Sequence, residues 1–313
     1  MKEQITPHLR TLIEKGSIPL RAQFKKKRQP KKESNFTNDP LGEEEKYSPV
    51  KGLVHKFGNR ALWKVSYRCA AHCQFCTRFR QIGSDEGDLS SEDIQACIEY
   101  IRTHPEINDV ILSGGDPLFT VRDTLTIFEE LAKIDSVKVI RIGTRLPIHS
   151  PKSFHAKLLK ELMRKMRLYA RKKGLFVLIN INHPDELTKS VLRAIATIQK
   201  TGAIILSQTV FLKGVNDNVE TLETLFTTLY HNKILPYYIY RCDYVKGVEH
   251  FIVPFRKERM IMTELRKRLS GIAYPTYAID VPGGRGKIPP PLHFWKGTVF
   301  RYVTDFDGNK LKI

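Results

Sequence analysis

The sequence predicts an α/β protein in which strands and helices alternate along most of the chain. Short runs rich in β-branched and aromatic residues recur from Ala61 onward, and longer segments between them repeat their apolar residues every three or four positions. The strand runs are almost continuously apolar, as expected for strands that are covered on both faces. A length of 313 residues with 41% hydrophobic residues is sufficient to bury a sizeable core. Consecutive units of this kind need right-handed crossovers and a mainly parallel sheet.

Strand and helix candidates can be assigned in chain order. The strands are predicted at 61–67, 109–114, 137–143, 175–181, 203–210 and 236–241. The helices are predicted at 90–104, 122–134, 152–173, 184–200, 218–232 and 255–269. These six units can form either an open doubly wound sheet or an incomplete barrel, and periodicity alone does not separate the two. In both architectures the active site lies at the carboxyl ends of the strands.

The N-terminal region differs in composition from the rest. The chain carries 52 Lys and Arg against 33 Asp and Glu, a formal net charge of +19, and residues 25–32 hold six of these cations. We predict that residues 1–45 form a basic, partly flexible arm with one short helix near 9–15. Such an arm can bind nucleic acid or an acidic protein surface, or it can be a solvated tail. No zinc-finger, RNP-like or helix-turn-helix signature supports sequence-specific binding to nucleic acid.

Hydropathy and cysteine content indicate the class of protein. No apolar run approaches the roughly 18 residues of a membrane helix, and the N-terminus lacks the apolar stretch of a secretory signal. Three of the 5 cysteines fall close together, which favours a metal site over a disulfide framework. The sequence therefore predicts a soluble, cytoplasmic protein with no membrane contact.

The stretch CAAHCQFC directly follows the first predicted strand. Cys69, Cys73 and Cys76 offer three thiolates with no fourth nearby, which suits an iron–sulfur cluster that keeps one iron open. A zinc site is the alternative, although a closed tetrahedral site needs a fourth ligand. Cys97 and Cys242 lie in a helix pattern and at a strand end, and we expect them to act as small apolar residues.

Two glycine-containing segments are further candidates for ligand contact. SGGDP, at 113–117, follows the second strand, where glycines let the backbone approach a ligand and Asp116 can accept from an ammonium. A tight turn uses the same residues. DVPGGRGKIP, at 280–289, lacks P-loop spacing. Its Lys287 can form an imine with pyridoxal phosphate or lie on a surface turn.

These motifs occur together in a known family. The cysteine spacing on the first βα loop is the signature of radical S-adenosylmethionine (SAM) enzymes, and the chain closely resembles their lysine 2,3-aminomutase family from Tyr47 to Pro291. The resemblance is carried by HKFGNR (55–60), CxxxCxxCTR ending at Arg78, SGGDP, IGTRLPI (142–148), SQTVFLKGVND (207–217), YYIYRCDYVKGVEHF (237–251) and AIDVPGGRGK (278–287). It implies a partial (βα)6 TIM-like barrel of the radical SAM type with N- and C-terminal extensions. The core would span 46–291, and a tail would follow at 292–313.

The resemblance implies three cofactors and their ligands. A [4Fe–4S] cluster would be held by Cys69, Cys73 and Cys76, with SAM on the open iron. SAM would be contacted at its adenine by Phe75, at its methionyl amino group by Ser113, Gly114, Gly115 and Asp116, and elsewhere by Gln208. Pyridoxal 5′-phosphate (PLP) would be bound by Lys287, with its phosphate on Arg60 and Lys56. Lys56 stands where the family has a second arginine, and Asn180 stands where it has a histidine.

The substrate and the reaction are also implied by the resemblance. Arg78 would pair with the substrate α-carboxylate, because a guanidinium fork suits a carboxylate. Asp243 and Asp280 would hold a distant ammonium, which favours lysine, or a similarly cationic amino acid such as arginine, over glutamate. The expected reaction converts L-lysine into β-lysine by a 1,2-amino migration that a 5′-deoxyadenosyl radical starts. It would use a flavodoxin- or ferredoxin-type reductant, and a homo-oligomer is compatible with it.

Two other functions stay open. Within the family, short relatives make (R)-β-lysine for attachment to translation elongation factor P, and LPYY and FGNRAL of this chain resemble segments of those relatives. PGGRGK, however, matches the free-lysine enzymes better. In a different class, an iron–sulfur protein that binds nucleic acid would account for the net charge of +19. We favour the free-lysine aminomutase, an isomerase, because the ordered motifs span most of the chain.

Overall fold

A central sheet positions the rest of the molecule. The computed structural model describes residues 3–26, 36–43, 46–83, 89–281, 283, 285–293, 302–304 and 310–312. Within these residues, a nine-stranded sheet has its strands hydrogen-bonded in chain order. They are β1 (Leu53–Phe57), β2 (Arg60–Ser66), β3 (Asp109–Gly114), β4 (Val139–Thr144), β5 (Gly174–Asn180), β6 (Ile204–Val210), β7 (Leu235–Tyr240), β8 (Thr276–Asp280) and β9 (Lys287–Ile288). A separate two-stranded ribbon joins β10 (Tyr302–Thr304) and β11 (Lys310–Lys312).

The strand order identifies the sheet as a barrel wall. Strands β2 to β8 are parallel, and β1 and β9 are antiparallel to their neighbours at the two edges. A doubly wound sheet reverses its strand order at one point, whereas this order never reverses. Right-handed crossovers then place all the connecting helices on one face and leave the other face as an inner wall. The structure confirms the predicted incomplete barrel.

The helices of the barrel cover the outer face of the sheet. They are α3 (Ser91–Thr103), α4 (Val121–Lys133), α5 (Leu146–His149), α6 (Lys157–Tyr169), α7 (Lys189–Gln199), α8 (Val219–His231) and α9 (Phe255–Arg268). The predicted helix at 152–173 is divided, because Ala156 is extended between a 3₁₀ turn, Pro151–His155, and α6. Cys97 and Cys242 are buried, as expected of small apolar residues. No helix in the part of the chain that the structure describes is long and apolar enough to cross a bilayer.

Three strands differ from the sequence prediction. The parallel strands number seven rather than six, because β8 pairs with β7, and the sheet is extended by β1 and β9. These strands have five, five and two residues and include polar side chains such as His55 and Asp280. β1 and β9 have at most two apolar residues in a row, so their pairing partners define them more than their own pattern does.

The predicted N-terminal arm is partly folded. Two helices, α1 (Pro7–Glu14) and α2 (Ile18–Phe24), replace the one short helix that we expected. Leu9, Leu20 and Phe24 are fully buried and pack with Ala71 of the cysteine loop. The apolar stripes of these helices are short. The basic run that follows them therefore gives the segment the composition of a solvated arm. Residues 27–35 of that run, and 294–301, 305–309 and 313 of the predicted tail, lie outside the described residues.

Candidate active site

The three cysteines lie in the loop that follows β2, and the N-terminal segment holds this loop. The Gln4 side chain donates to the Cys69 carbonyl at 2.8 Å, and the Gln4 carbonyl accepts from the N–H of His72 at 2.9 Å. The N–H of Gln74 donates to the Gln23 carbonyl at 2.8 Å. Backbone bonds from a second segment therefore fix the conformation of the cysteine loop at the carboxyl end of the sheet.

The surroundings of the thiols disfavour free thiolates. Burial, reinforced by the charges of Asp116 and of the other two cysteines, raises the pKa of Cys69 well above its usual value. Burial likewise raises the pKa of Cys73, and it raises that of Cys76 to about 11. Anionic sulfur in such a place needs a strongly cationic partner, and bound metal ions reverse this pKa logic. The donor set therefore fits an iron–sulfur cluster.

A site for one metal ion fits less well. Among the described residues, no group of three or more His, Cys, Asp or Glu side chains is arranged to hold a metal ion. A closed zinc site needs four donors at about 2.0–2.3 Å from one ion. In a [4Fe–4S] cluster each thiolate binds a different iron, so its ligands need not converge on one point. The arrangement favours the predicted cluster over the zinc alternative.

Arg145 connects the cysteine loop to buried groups, and the sequence did not predict this role. Its guanidinium donates to Cys73 Sγ at 2.9 Å and to Glu186 Oε2 at 2.7 Å. It also donates to the Asn180 carbonyl and to the Gln23 side chain, both at 3.2 Å. The side chains of Arg145 and Glu186 are 9% and 0% exposed. From the sequence, Arg145 is recognisable only as part of the motif IGTRLPI, because Cys73, Gln23 and Glu186 lie far from it along the chain.

The SGGDP turn after β3 packs against the end of β2. Gly114 has a φ of +100°, and the N–H of Gly115 donates to the Ser66 carbonyl at 2.5 Å. A Cβ on Gly115 would lie 2.3 Å from the carbonyl oxygen of Arg68. The sequence predicted that these glycines admit a ligand. In the structure the space beside these glycines is occupied by the backbone of Ser66 and Arg68, which leads into the cysteine loop.

Asp116 is buried at the base of this turn. Its Oδ1 accepts from the Thr144 hydroxyl at 2.7 Å and from the N–H of Leu118 at 3.0 Å, and its Oδ2 accepts from the N–H of Arg145 at 2.8 Å. Burial raises the pKa of Asp116, although these hydrogen bonds oppose the shift. A carboxylate has about four lone-pair sites. The Thr144 and Arg145 bonds occupy two of these sites and hold the turn from β4 into α5, and the Leu118 bond occupies a third and closes the SGGDP turn. The contact of Asp116 with a methionyl ammonium stays a prediction.

The charged residues that we predicted for PLP and substrate are already paired. Lys287 Nζ contacts both carboxylate oxygens of Asp280, at 2.7 and 2.8 Å. Arg78 donates from Nε and Nη2 to the two oxygens of Glu43, at 2.9 and 2.7 Å, and it approaches the Ser113 hydroxyl at 3.4 Å. Lys287 is therefore ion-paired with Asp280 in this structure.

Asp243 lies within electrostatic reach of both pairs, so the region around these five residues is here called the chamber. Burial and the charge of Asp280 raise the pKa of Asp243 to about 7, with Glu43 adding to the effect and Lys287 and Arg78 opposing it. Coulomb interactions of this kind require short separations. Arg78 in turn lowers the pKa of Cys76, against the effect of burial. The chamber around Asp243 therefore adjoins the cysteine loop.

Aromatic rings line the inner wall next to Lys287. Its Nζ lies 5.2 Å from the centroid of the Tyr240 ring, which stacks on Tyr238 with a centroid separation of 5.1 Å. Gln208 donates to the Tyr240 hydroxyl at 3.2 Å. Arg60 acts electrostatically on Tyr238, and its buried Nε has no hydrogen-bond partner in the described part of the chain. A bound anion would satisfy this buried guanidinium N–H, so Arg60 is suited to bind a phosphate.

Two other predicted residues make contacts within the protein. Lys56 Nζ and the Arg60 guanidinium lie 5.1 and 4.8 Å from the centroid of the Phe57 ring, so the two cations flank one aromatic side chain. Phe75 meets Phe251 edge-on with a centroid separation of 6.3 Å. The contact of Phe75 with adenine stays a prediction.

The chain is similar to known proteins over most of its length. The Radical SAM superfamily matches residues 63–225. The chain is 37% identical over 273 residues to the putative L-lysine 2,3-aminomutase of Aquifex aeolicus, covering 87% of this chain and 69% of that protein. It is 37% identical over 259 residues to the L-lysine 2,3-aminomutase of Escherichia coli K12, covering 82% and 73%. For the L-lysine 2,3-aminomutase of Clostridium subterminale the identity is 37% over 252 residues, covering 80% and 59%.

A solved structure supports the fold. The radical SAM methyltransferase from Sphaerobacter thermophilus matches with a TM-score of 0.51 over 74% of this chain and 71% of that chain, at 15% identity. At this identity the likeness concerns only the fold, and it agrees with the incomplete barrel. Superfamily membership implies a [4Fe–4S] cluster and SAM. Because the superfamily match covers more than half of the chain and the identities extend over most of it, the chain belongs to the lysine 2,3-aminomutase family of radical SAM enzymes, a family of isomerases.

Proposed function

We propose that the chain converts L-lysine into β-lysine by moving the α-amino group to the neighbouring carbon. The observation that carries this proposal is the set of charges that act on the Asp243 carboxyl, namely the Lys287–Asp280 pair and the Arg78 guanidinium. A fork that binds carboxylate and a pair that binds ammonium match the two ends of a basic amino acid. The printed names of the relatives support the same substrate.

When bound, the cluster, SAM and PLP supply the radical chemistry and the activation of the amino group. Cys69, Cys73 and Cys76 would hold the cluster. Lys287 would hold PLP through its amine once Asp280 releases it, and the orphan N–H of Arg60 would hold the phosphate.

The chain's own side chains bind and orient the substrate. Arg78 would fix the α-carboxylate by two parallel hydrogen bonds, and Asp243 and Asp280 would fix the distal ammonium. With both ends held, the α- and β-carbons have a defined position, which reduces the entropy cost of the reaction. Radical chemistry also requires the exclusion of water, and residues 36–43 pack over this end of the barrel. A flavodoxin- or ferredoxin-type reductant completes the proposal, and the cytoplasmic location stays a prediction.

The test is anaerobic reconstitution of the full chain with iron, sulfide and PLP, followed by SAM, dithionite and a candidate amino acid. We expect 3,6-diaminohexanoate from lysine, and we expect no β-amino acid from glutamate or alanine. Arginine tests how strictly the aspartate pair selects the cation. Absence of product from lysine in a sample whose spectra show bound cluster and bound PLP would contradict the proposal, as would equal turnover of glutamate.

Product chirality separates the two lysine-specific alternatives. (R)-β-lysine as the product would favour the branch linked to elongation factor P, so the reconstitution product is resolved on a chiral column. The nucleic-acid alternative depends on the basic run, most of which lies outside the described residues. Salt-sensitive RNA binding without any turnover of amino acids would favour that class instead.

A further inference from the structure

Glu43 occupies the position that the proposed substrate carboxylate needs. Its two oxygens accept from Nε and Nη2 of Arg78 at 2.9 and 2.7 Å, which is the bidentate geometry expected for an α-carboxylate. The side chains of Arg78 and Glu43 are 15% and 13% exposed. Burial opposes the charge of Glu43, but Arg78 and Lys64 lower the pKa of Glu43 overall, so it is a carboxylate.

At the other end of the chamber, Lys287 mimics the substrate in the same way. The ammonium of a lysine side chain contacts both oxygens of Asp280, and Asp280 is one of the two carboxylates proposed to bind a lysine ammonium. Both recognition groups thus hold the chain's own equivalent of a substrate group. Without such partners, the half-buried Arg78 would carry an unpaired charge, which is costly.

Glu43 belongs to a segment that contacts the loops at this end of the barrel, here named the strap (residues 36–43). The N–H of Thr37 donates to the Tyr244 carbonyl at 3.1 Å, and the N–H of Gly283 donates to the Pro40 carbonyl at 2.9 Å. Asp39 pairs with Arg80 at 3.4 Å. The strap therefore contacts the loops after β7 and β8 as well as the cysteine loop, and these three loops carry the proposed substrate residues.

One guanidinium fork cannot hold two carboxylates in the same bidentate geometry. Resting on the function proposed above, we propose that Glu43 is an internal competitor of the substrate, which the α-carboxylate must displace from Arg78 to bind. The exchange replaces one carboxylate with another, so Arg78 stays paired before and after it. An amine without a carboxylate leaves Glu43 in place. Glu43 thus makes displacement by a carboxylate a condition of productive binding. When the carboxylate binds, the contact between the strap and Arg78 is lost.

The test measures binding without turnover. Dissociation constants for lysine are determined by calorimetry on the PLP-loaded protein, without SAM or reductant, for the wild type and Glu43→Gln. We expect Glu43→Gln to bind lysine about tenfold more tightly, because the competing charge is gone while the side chain keeps its size. Binding of 1,5-diaminopentane, which has the ammonium but no carboxylate, should change by less than about twofold.

Asp39→Asn is the matched control, because it removes a negative charge from the same strap and leaves the partner of Arg78 in place. We expect it to bind lysine as the wild type does. Weaker or unchanged lysine binding in Glu43→Gln would overturn the proposal, and so would an equal gain in Asp39→Asn.

A second measurement needs no variant. In hydrogen exchange of the wild type, lysine should accelerate exchange in peptides covering residues 36–43, whereas 1,5-diaminopentane should not. Slower or unchanged exchange with lysine would overturn the displacement even if Glu43→Gln fails to fold. The reconstitution assay distinguishes the two levels of inference: conversion of lysine with no competition by Glu43 refutes this proposal alone, and the absence of conversion refutes the proposed function.

Discussion

The two sides of the candidate active site are held together in different ways. On the cysteine side, Arg145 and Glu186 are 9% and 0% exposed, and the guanidinium has four different partners. On the substrate side, the side chain of Lys287 is 42% exposed, and Arg78 depends on a residue of the strap. Breaking the Arg145–Glu186 pair leaves an unpaired charge in the core, whereas the half-exposed Lys287 exchanges partners at low cost. The Arg78–Glu43 pair, 15% and 13% exposed, separates at low cost only when another carboxylate replaces Glu43. A cluster needs a permanent frame, and a substrate needs partners that can leave.

Lys287→Ala should cause the largest loss of activity while leaving the fold intact. Removal of the amine that binds PLP should lower product formation by roughly three orders of magnitude or more. The yellow absorbance of bound PLP should disappear. Since the pair with Asp280 is half-exposed, the free energy of unfolding should change by less than about 1 kcal/mol. Lys267→Ala, on the exposed face of α9, is the control, and retained PLP absorbance in Lys287→Ala would contradict the assignment.

Arg145→Met should have the largest effect on stability. It leaves the Glu186 carboxylate buried without its cation, so the free energy of unfolding should fall by about 3–5 kcal/mol. The measurement is the urea midpoint at constant m-value. Adding Glu186→Gln should restore part of the loss, because the uncompensated charge is removed. Arg164→Met breaks an exposed pair with Glu161 and should leave the urea midpoint close to that of the wild type. Equal losses in Arg145→Met and Arg164→Met would show that burial does not change what the Arg145–Glu186 pair contributes to stability.

Gly115→Ala tests the junction between the two sides. The added Cβ would meet the Arg68 carbonyl oxygen at 2.3 Å, so the backbone must shift, at a cost of about 1–3 kcal/mol. Gly271→Ala is the matched control, because no atom lies within 4 Å of its Cβ position, and its effect should stay within about 0.5 kcal/mol. Thermal unfolding of both variants provides the comparison, and equal midpoints would show that the turn has room to adjust.

The pH dependence of lysine binding should report on Asp243. Its pKa of about 7 means that the carboxyl is mostly protonated at lower pH, so affinity for lysine should fall about tenfold per pH unit below 7. Since this pKa is raised above its unfolded value, ionisation of Asp243 weakens folding above pH 7, and protonation removes that cost as the pH falls. Asp280, Glu43, Lys287 and Arg78 act on the same carboxyl. Calorimetric titration should show no break in Asp243→Asn, and a persistent break would assign it to another group.

The repeating units were predictable because each carries its own periodic signal. In α3, for example, the N-cap Ser90 and the buried Ile94, Ile98 and Ile101 are all local features of the sequence. By contrast, β9 is defined by the strand that it pairs with, and its two residues have no apolar run. A periodic pattern of apolar residues predicts an element well. The pairing of an edge strand, by contrast, depends on residues outside that strand.

The same distinction applies to the site. The cysteines and Lys287 were identified because their spacing and their glycine-rich surroundings are contiguous in the sequence. Glu43 contacts Arg78 from 35 positions away, and Arg145 contacts Cys73 from 72 positions away. Such pairs arise only when the barrel brings distant loops to one end. The residues that regulate and brace a site are therefore harder to predict than those that define its chemistry.

The brace around the cysteine loop also constrains how the protein matures. Its parts come from Gln4 and Gln23 at the start of the chain and from Glu186 well past the middle of it. During synthesis the thiols emerge from the ribosome before Glu186 does, and domains made from the N-terminus fold as their parts become available. The brace is therefore complete only once the Glu186 segment is in place, and until then the N-terminal contacts of Gln4 and Gln23 are the part of it that can form.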